Sequence, residues 1–169
     1  MVVSVEYRID GIDETLLELL SFLHPAVDPD TGHHVCHHHS LGLATLNAGG
    51  RRIPALLLGG CAMLVVGEDA VSALLGDASG EERLESMEPP KALIGGVEAD
   101  AYWVMQALRA AAEMNLRAVL RVVEVEGGRW VLVELESQGR PPGGLRAALL
   151  IPPPCGEEGI RRRSQSFYQ

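Results

Sequence analysis

Residues 118–136, AVLRVVEVEGGRWVLVELE, decide the fold, because they have the pattern of two β-strands joined by a tight turn. Both halves are rich in β-branched and apolar residues, and Gly127-Gly128 between them can supply the positive φ that a two-residue hairpin turn requires. We therefore predict an antiparallel hairpin with strands at 118–126 and 129–136.

The register of this hairpin predicts burial on both sides. With the two glycines as the whole loop, Glu126 faces Arg129 and Arg121 faces Glu134. One face then carries Val123, Val125, Trp130 and Leu132, and the other carries Leu120, Val122, Val133 and Leu135. Such a sheet needs helices on one side and either further chain or a second subunit on the other.

Outward from the hairpin, five more segments have the apolar or β-branched character of strands. They are residues 2–9, 41–46, 53–58, 62–66 and 145–151. Short glycine-containing turns separate the three middle segments, which favours antiparallel neighbours in a meander.

Helical spacing of apolar residues predicts helices over 12–23, 68–75 and 99–116. Residues 76–96 mix glycine, glutamate and two adjacent prolines, so we predict irregular structure there. The order of elements indicates an α+β fold: a mainly antiparallel sheet, about seven strands in two meanders, with about three helices packed on it. We expect one domain over 1–155 and a flexible C-terminal tail over 156–169.

Charge and composition narrow the classes of function. The 169 residues carry a net charge of -9, which argues against nucleic-acid binding because contact with a phosphate backbone begins with clustered positive charge. Apolar residues make up 47% of the chain but aromatics only 4%, so Leu, Val, Ile and Ala must build the core.

The cysteines and the apolar runs bear on the compartment. Three cysteines without regular spacing argue against a secreted disulfide framework. The first residues carry charge where a signal peptide would be apolar, and the run from 53 to 66, broken by proline and glycine, is too short to cross a bilayer. We therefore expect a cytoplasmic protein without a membrane partner.

Residues 33–39, HHVCHHH, hold five of the six histidines and one of the three cysteines. Imidazole nitrogen and thiolate sulfur are the preferred donors for zinc, and nickel, copper and iron also accept imidazole. The candidate metal ligands are His33, His34, Cys36, His37, His38 and His39.

The conformation of this segment decides which donors share a side. A helix would bring His33, Cys36 and His37 to one face. An extended chain would place His37 and His39 on one side and His34, Cys36 and His38 on the other. An extended segment needs further ligands from a neighbouring element or from a second subunit. The candidates within the chain are His24, Asp28, Asp30, Cys61 and Cys155.

Three functions fit this pattern. The first is a zinc-binding protein with a structural, regulatory or assembly role that forms a homo-oligomer. The second is a metal-dependent hydrolase in which a zinc-bound water is activated and Asp28, Asp30 or Glu68 acts as general base. The third needs no metal: clustered histidines with pKa values near about 6.5 would repel one another on protonation and form a pH-responsive binding surface. The sequence identifies no substrate or small-molecule ligand.

Overall fold

Nine strands and three helices make up the part of the chain that the computed structural model describes, residues 14–23, 41–58, 62–76, 78–138 and 144–154. In chain order they are α1 (Glu14–Leu23), β1 (Leu41–Ala48), β2 (Arg51–Leu58), β3 (Ala62–Val66), α2 (Glu68–Leu75), β4 (Leu84–Glu88), β5 (Lys91–Ile94), β6 (Val97–Asp100), α3 (Ala101–Met114), β7 (Leu116–Val125), β8 (Gly128–Ser137) and β9 (Arg146–Ile151).

Two antiparallel sheets contain all of these strands. The larger has the order β1-β2-β3-β9-β8-β7, and the smaller has the order β4-β5-β6. The predicted α+β fold with a mainly antiparallel sheet is confirmed, and six of the seven predicted strands build the larger sheet. The seventh, at 2–9, lies outside the described residues, as does the predicted tail at 156–169.

The central strand β9 shows why the sheet is covered on both sides. It pairs with β3 and β8, and each of its residues after Arg146 is buried. Ala147, Leu149 and Ile151 enter a core shared with α1 and α3, whereas Ala148 and Leu150 enter a second core shared with α2. The cover opposite the long helices is therefore further chain.

The two edge strands of the larger sheet approach each other at the hairpin turn. The backbone N–H of Glu126 donates to the carbonyl oxygen of Asn47 in β1, and the Glu126 side chain accepts from the Asn47 N–H, both at 3.3 Å. The sheet is thus curled around the second core, and its edges meet at this point.

The two-residue loop of the hairpin lies one residue earlier in the sequence than predicted. Val125 pairs with Gly128, so the loop is Glu126 and Gly127, with φ values of 50° and 79°. Its hydrogen bonds to Asn47 explain why Glu126, rather than a second glycine, takes a left-handed loop position. Arg129 consequently faces Glu124, and Arg121 faces Leu132 in place of Glu134. Each partner shifts by two residues, so every side chain keeps its predicted face.

The prediction of irregular structure over 76–96 is wrong for 84–96, whereas the described residues of 76–83 form no helix or strand beyond the isolated bridge of Glu82 with Leu120. Strands β4 and β5 and the turns that follow them occupy 84–96. Pro89-Pro90 joins β4 to β5, and Gly95-Gly96 joins β5 to β6. Both glycines have positive φ, as a tight turn requires. Strands of four and five residues are too short to show a clear alternation of apolar and polar residues between such turns.

Helix α3 begins two residues later than predicted and ends two residues earlier. Ala99 and Asp100 belong to β6, and the Asp100 carboxylate caps the helix by accepting from the Tyr102 N–H at 2.9 Å. Asn115 ends the helix in the left-handed region, with φ of 55°. Among the described helices, none is both long and apolar enough to span a membrane.

The two-sided burial of β9 makes a stability prediction. Leu149→Ala removes a fully buried side chain from the core with α1 and α3, and we expect it to lower the free energy of unfolding by about 2–5 kcal/mol. Leu43→Ala on edge strand β1 is the matched control, because Leu43 is 58% exposed, and we expect a change below about 0.5 kcal/mol. Urea denaturation followed by circular dichroism measures both, and equal losses would contradict the assignment of β9 to the centre of the core.

Candidate functional site

The predicted metal ligands lie outside the described residues. This holds for His33, His34, Cys36, His37, His38 and His39, and also for the additional candidates His24, Asp28, Asp30, Cys61 and Cys155. Metal binding by these residues therefore stays a prediction. The described residues nevertheless fix where the segments that carry the donors join the fold.

Three of the points where these segments join the strands are cross-strand neighbours. They form one row of paired residues that runs across the sheet. Leu41, which begins β1, pairs with Leu58 at the end of β2, and Leu58 pairs with Ala62 at the start of β3. One residue further along β3, Met63 pairs with Leu150 near the end of β9. The row thus crosses four adjacent strands, and at about 4.8 Å between strands it is roughly 15 Å wide.

Candidate donor residues lie close in the sequence to the ends of three of these strands. His39 precedes Leu41 by two residues, Cys61 directly precedes Ala62, and Cys155 directly follows Pro154 at the end of the described segment after β9. One Cα–Cα step of about 3.8 Å separates Cys61 from Ala62 on the row, and two such steps separate His39 from Leu41, whereas Cys155 comes four residues after Ile151 at the end of β9.

Helix α1 is held at the beginning of α3. Gln106 donates from Nε2 to the Phe22 carbonyl oxygen at 3.0 Å, and the N–H of Asp100, the cap of α3, donates to the carbonyl oxygen of Pro152 at 2.9 Å. Gln106 is five residues into the helix, or about 8 Å along its axis. The 24–40 segment therefore starts from a helix end near the first turns of α3, and α3 itself starts beside the chain that leaves β9.

A network of ion pairs is the main charged constellation among the described residues. Glu134 on β8 is only 6% exposed, and it accepts from Arg121 Nε on β7 at 3.0 Å and from Arg146 Nη2 on β9 at 3.1 Å. Arg146 also donates from Nη1 to Oε1 of Glu68, in the first turn of α2. Two carboxylates and two guanidinium groups therefore neutralise one another on the α2 side of the sheet.

The network attaches α2 to the sheet. Gly67, just before the helix, donates its N–H to the Arg146 carbonyl oxygen at 2.9 Å, and Ser72 donates to Glu68 at 3.3 Å. The hydrogen bond from Arg146 lowers the pKa of the Glu68 carboxyl below its ordinary value of 4.5, and the same bond raises the pKa of Arg146. Glu68 is thus a weak base at neutral pH, which disfavours its predicted role as general base of a hydrolase.

The same network holds the segment after α2 against edge strand β7. Arg121 donates from Nη1 to the Ser79 carbonyl oxygen at 3.3 Å, and Ser79 Oγ accepts from the Val122 N–H at 2.9 Å. Glu82 then donates its N–H to Leu120 at 2.7 Å. The segment 79–82 covers the edge of β7 in this way, and Arg121 of the ion network helps to hold it there.

Sequence reasoning missed this network, apart from the pairing of Arg121 with Glu134. That contact exists between the side chains, although the two residues are diagonal neighbours in the observed register. Arg146 and Glu134 were detectable as charges inside apolar strands. Their meeting depends on β9 lying beside β8, which the local pattern does not encode.

Within the described ranges, no three His, Cys, Asp or Glu side chains are grouped closely enough to hold a metal ion. Comparison of the chain with protein-family models, with curated proteins and with solved structures finds no match.

The ion network predicts a large effect of neutralising its centre. Glu134→Gln keeps the shape of the side chain but leaves Arg121 and Arg146 without their shared carboxylate. We expect a loss of about 3 kcal/mol in the free energy of unfolding, the lower end for a broken buried pair, because both arginines are partly exposed. The control is Glu98→Gln in the exposed pair with Lys91, where we expect less than about 1 kcal/mol. A change at Glu134 as small as that of the control would show that solvent already screens the network.

A second prediction concerns the pH dependence contributed by Glu68. Its lowered pKa means that folding favours the charged form, so its stabilisation is fully present above pH 4.5 and is lost as the pH falls through the lower folded-state value. Glu68→Gln should therefore destabilise the protein at neutral pH, and its difference from the wild type should shrink as the pH falls below 4.5. Denaturation midpoints over this pH range provide the measurement, with Glu98→Gln as the control. A constant difference at all pH values would exclude the ion pair as its cause.

Proposed function

We propose that this protein binds a transition metal ion, zinc in the first instance, through the histidine-rich segment 33–39. The ion has a structural, regulatory or assembly role in a protein that forms a homo-oligomer, with this segment at or near the metal site. The observation that carries the proposal is the density of donors: six of seven consecutive residues are His or Cys.

The donor chemistry supports zinc. Mixed imidazole and thiolate ligation suits this ion, and a structural zinc site takes four protein ligands in tetrahedral geometry. The segment alone offers His33, His34, Cys36, His37, His38 and His39. Adjacent residues in a short segment do not all point to one centre, so we expect it to supply two or three ligands and another part of the chain, or a second copy, to supply the rest.

The row across β1, β2, β3 and β9 supports Cys61 as the foremost additional ligand. Cys61 adjoins Ala62, which pairs with Leu58, the partner of Leu41 at the start of β1. The chain that follows the histidines thus enters the sheet two strands away from the chain that follows Cys61, roughly 10 Å across the row. Cys155 follows from β9, one strand further along, and is the second choice.

The state of Glu68 disfavours one of the three general bases considered for hydrolysis, and the other two, Asp28 and Asp30, lie outside the described residues. The hydrolase hypothesis requires a general base, and the Glu68 carboxylate is already bound to Arg146 with a lowered pKa. A structural ion, by contrast, requires no general base. Its ligands need only lie on elements whose contact is stabilised by coordination. Segment 24–40 connects α1, on one core, to β1, the edge of the larger sheet.

Such an ion would stabilise the folded state by mass action. Binding to the folded chain alone contributes RT ln(1 + [L]/Kd), about 2.7 kcal/mol when the free metal is at a hundred times its Kd. The effect would act on the junction of α1 and β1. Coordination between two copies would couple the same stabilisation to assembly.

The cluster itself can be tested by substitution. We expect the untagged wild type to take up zinc in a fixed ratio to the chain, and a variant with all five cluster histidines changed to alanine to lose this stoichiometric uptake, because it lacks most of its donors. A variant with Glu81→Ala and Glu88→Ala, two exposed acidic residues, is the control and should bind like the wild type. Equilibrium dialysis measures uptake, and light scattering of the same samples gives the mass of the assembly.

Unchanged uptake in the histidine variant would refute the proposal. If the wild type binds no zinc but changes its mass between neutral and mildly acidic pH, the metal-free alternative of a pH-responsive surface gains support instead.

The row across the four strands predicts which cysteine outside the histidine-rich segment is a zinc ligand. We expect Cys61→Ser to weaken zinc binding by at least about tenfold, a loss that even partners outside the ligand shell can produce. Cys155→Ser is the matched control and should have the smaller effect. Competition with a chromophoric chelator measures affinity, and in the cobalt-substituted protein Cys61→Ser should also weaken the thiolate-to-cobalt absorption. Loss of binding in Cys155→Ser with full binding in Cys61→Ser would contradict this order.

A further inference from the structure

We draw no further inference here: the strongest candidate, the outer edge of β1 around the exposed side chain of Leu43, carries none because nothing in the described part of the chain shows what covers it.

Discussion

Burial of β9 on both of its faces is the constraint on which the rest of the structure depends. A strand between β3 and β8 whose side chains alternate between two cores requires cover on each side of the sheet. Helices α1 and α3 provide it on one side, and α2 provides it on the other, where the edges of the curled sheet also meet. Arg146 begins this strand, so its charge lies at the end of the second core. Glu134 and Glu68 compensate that charge and anchor α2 in doing so.

Much of this fold was predictable from local pattern. The strands of the larger sheet, α2 and the class of fold follow from runs of apolar residues bounded by glycine and proline. The predictions fail where the deciding interaction is distant in sequence. Glu126 takes its loop position because of Asn47, 79 residues away. The small sheet forms from strands too short to show a period, and the Asp100 cap ends β6 inside what looks like a continuous helical pattern.

The candidate site, like the fold, has one part that the local sequence predicts and another that depends on residues distant in the chain. Donor chemistry is local, so residues 33–39 stand out from the sequence alone. Ligand geometry is not local, because it depends on which strands lie beside the start of β1. The order β1-β2-β3-β9 is the information that local pattern lacks, because it places the start of β3, which Cys61 precedes in the sequence, on one row with the start of β1. The ion network likewise needed the neighbourhood of β8 and β9, although both of its arginines were visible as charges in apolar strands.

The central claim is a zinc site in which histidines before β1 are joined by sulfur from a neighbouring junction of the sheet. X-ray absorption spectroscopy of the zinc-loaded, untagged protein tests it most directly, because Zn–S distances near 2.3 Å differ from Zn–N distances of about 2.0–2.1 Å. The account predicts a four-coordinate shell that contains both imidazole nitrogen and at least one thiolate sulfur. A shell of nitrogen and oxygen alone, or zinc held too weakly to remain bound in the sample, would contradict it.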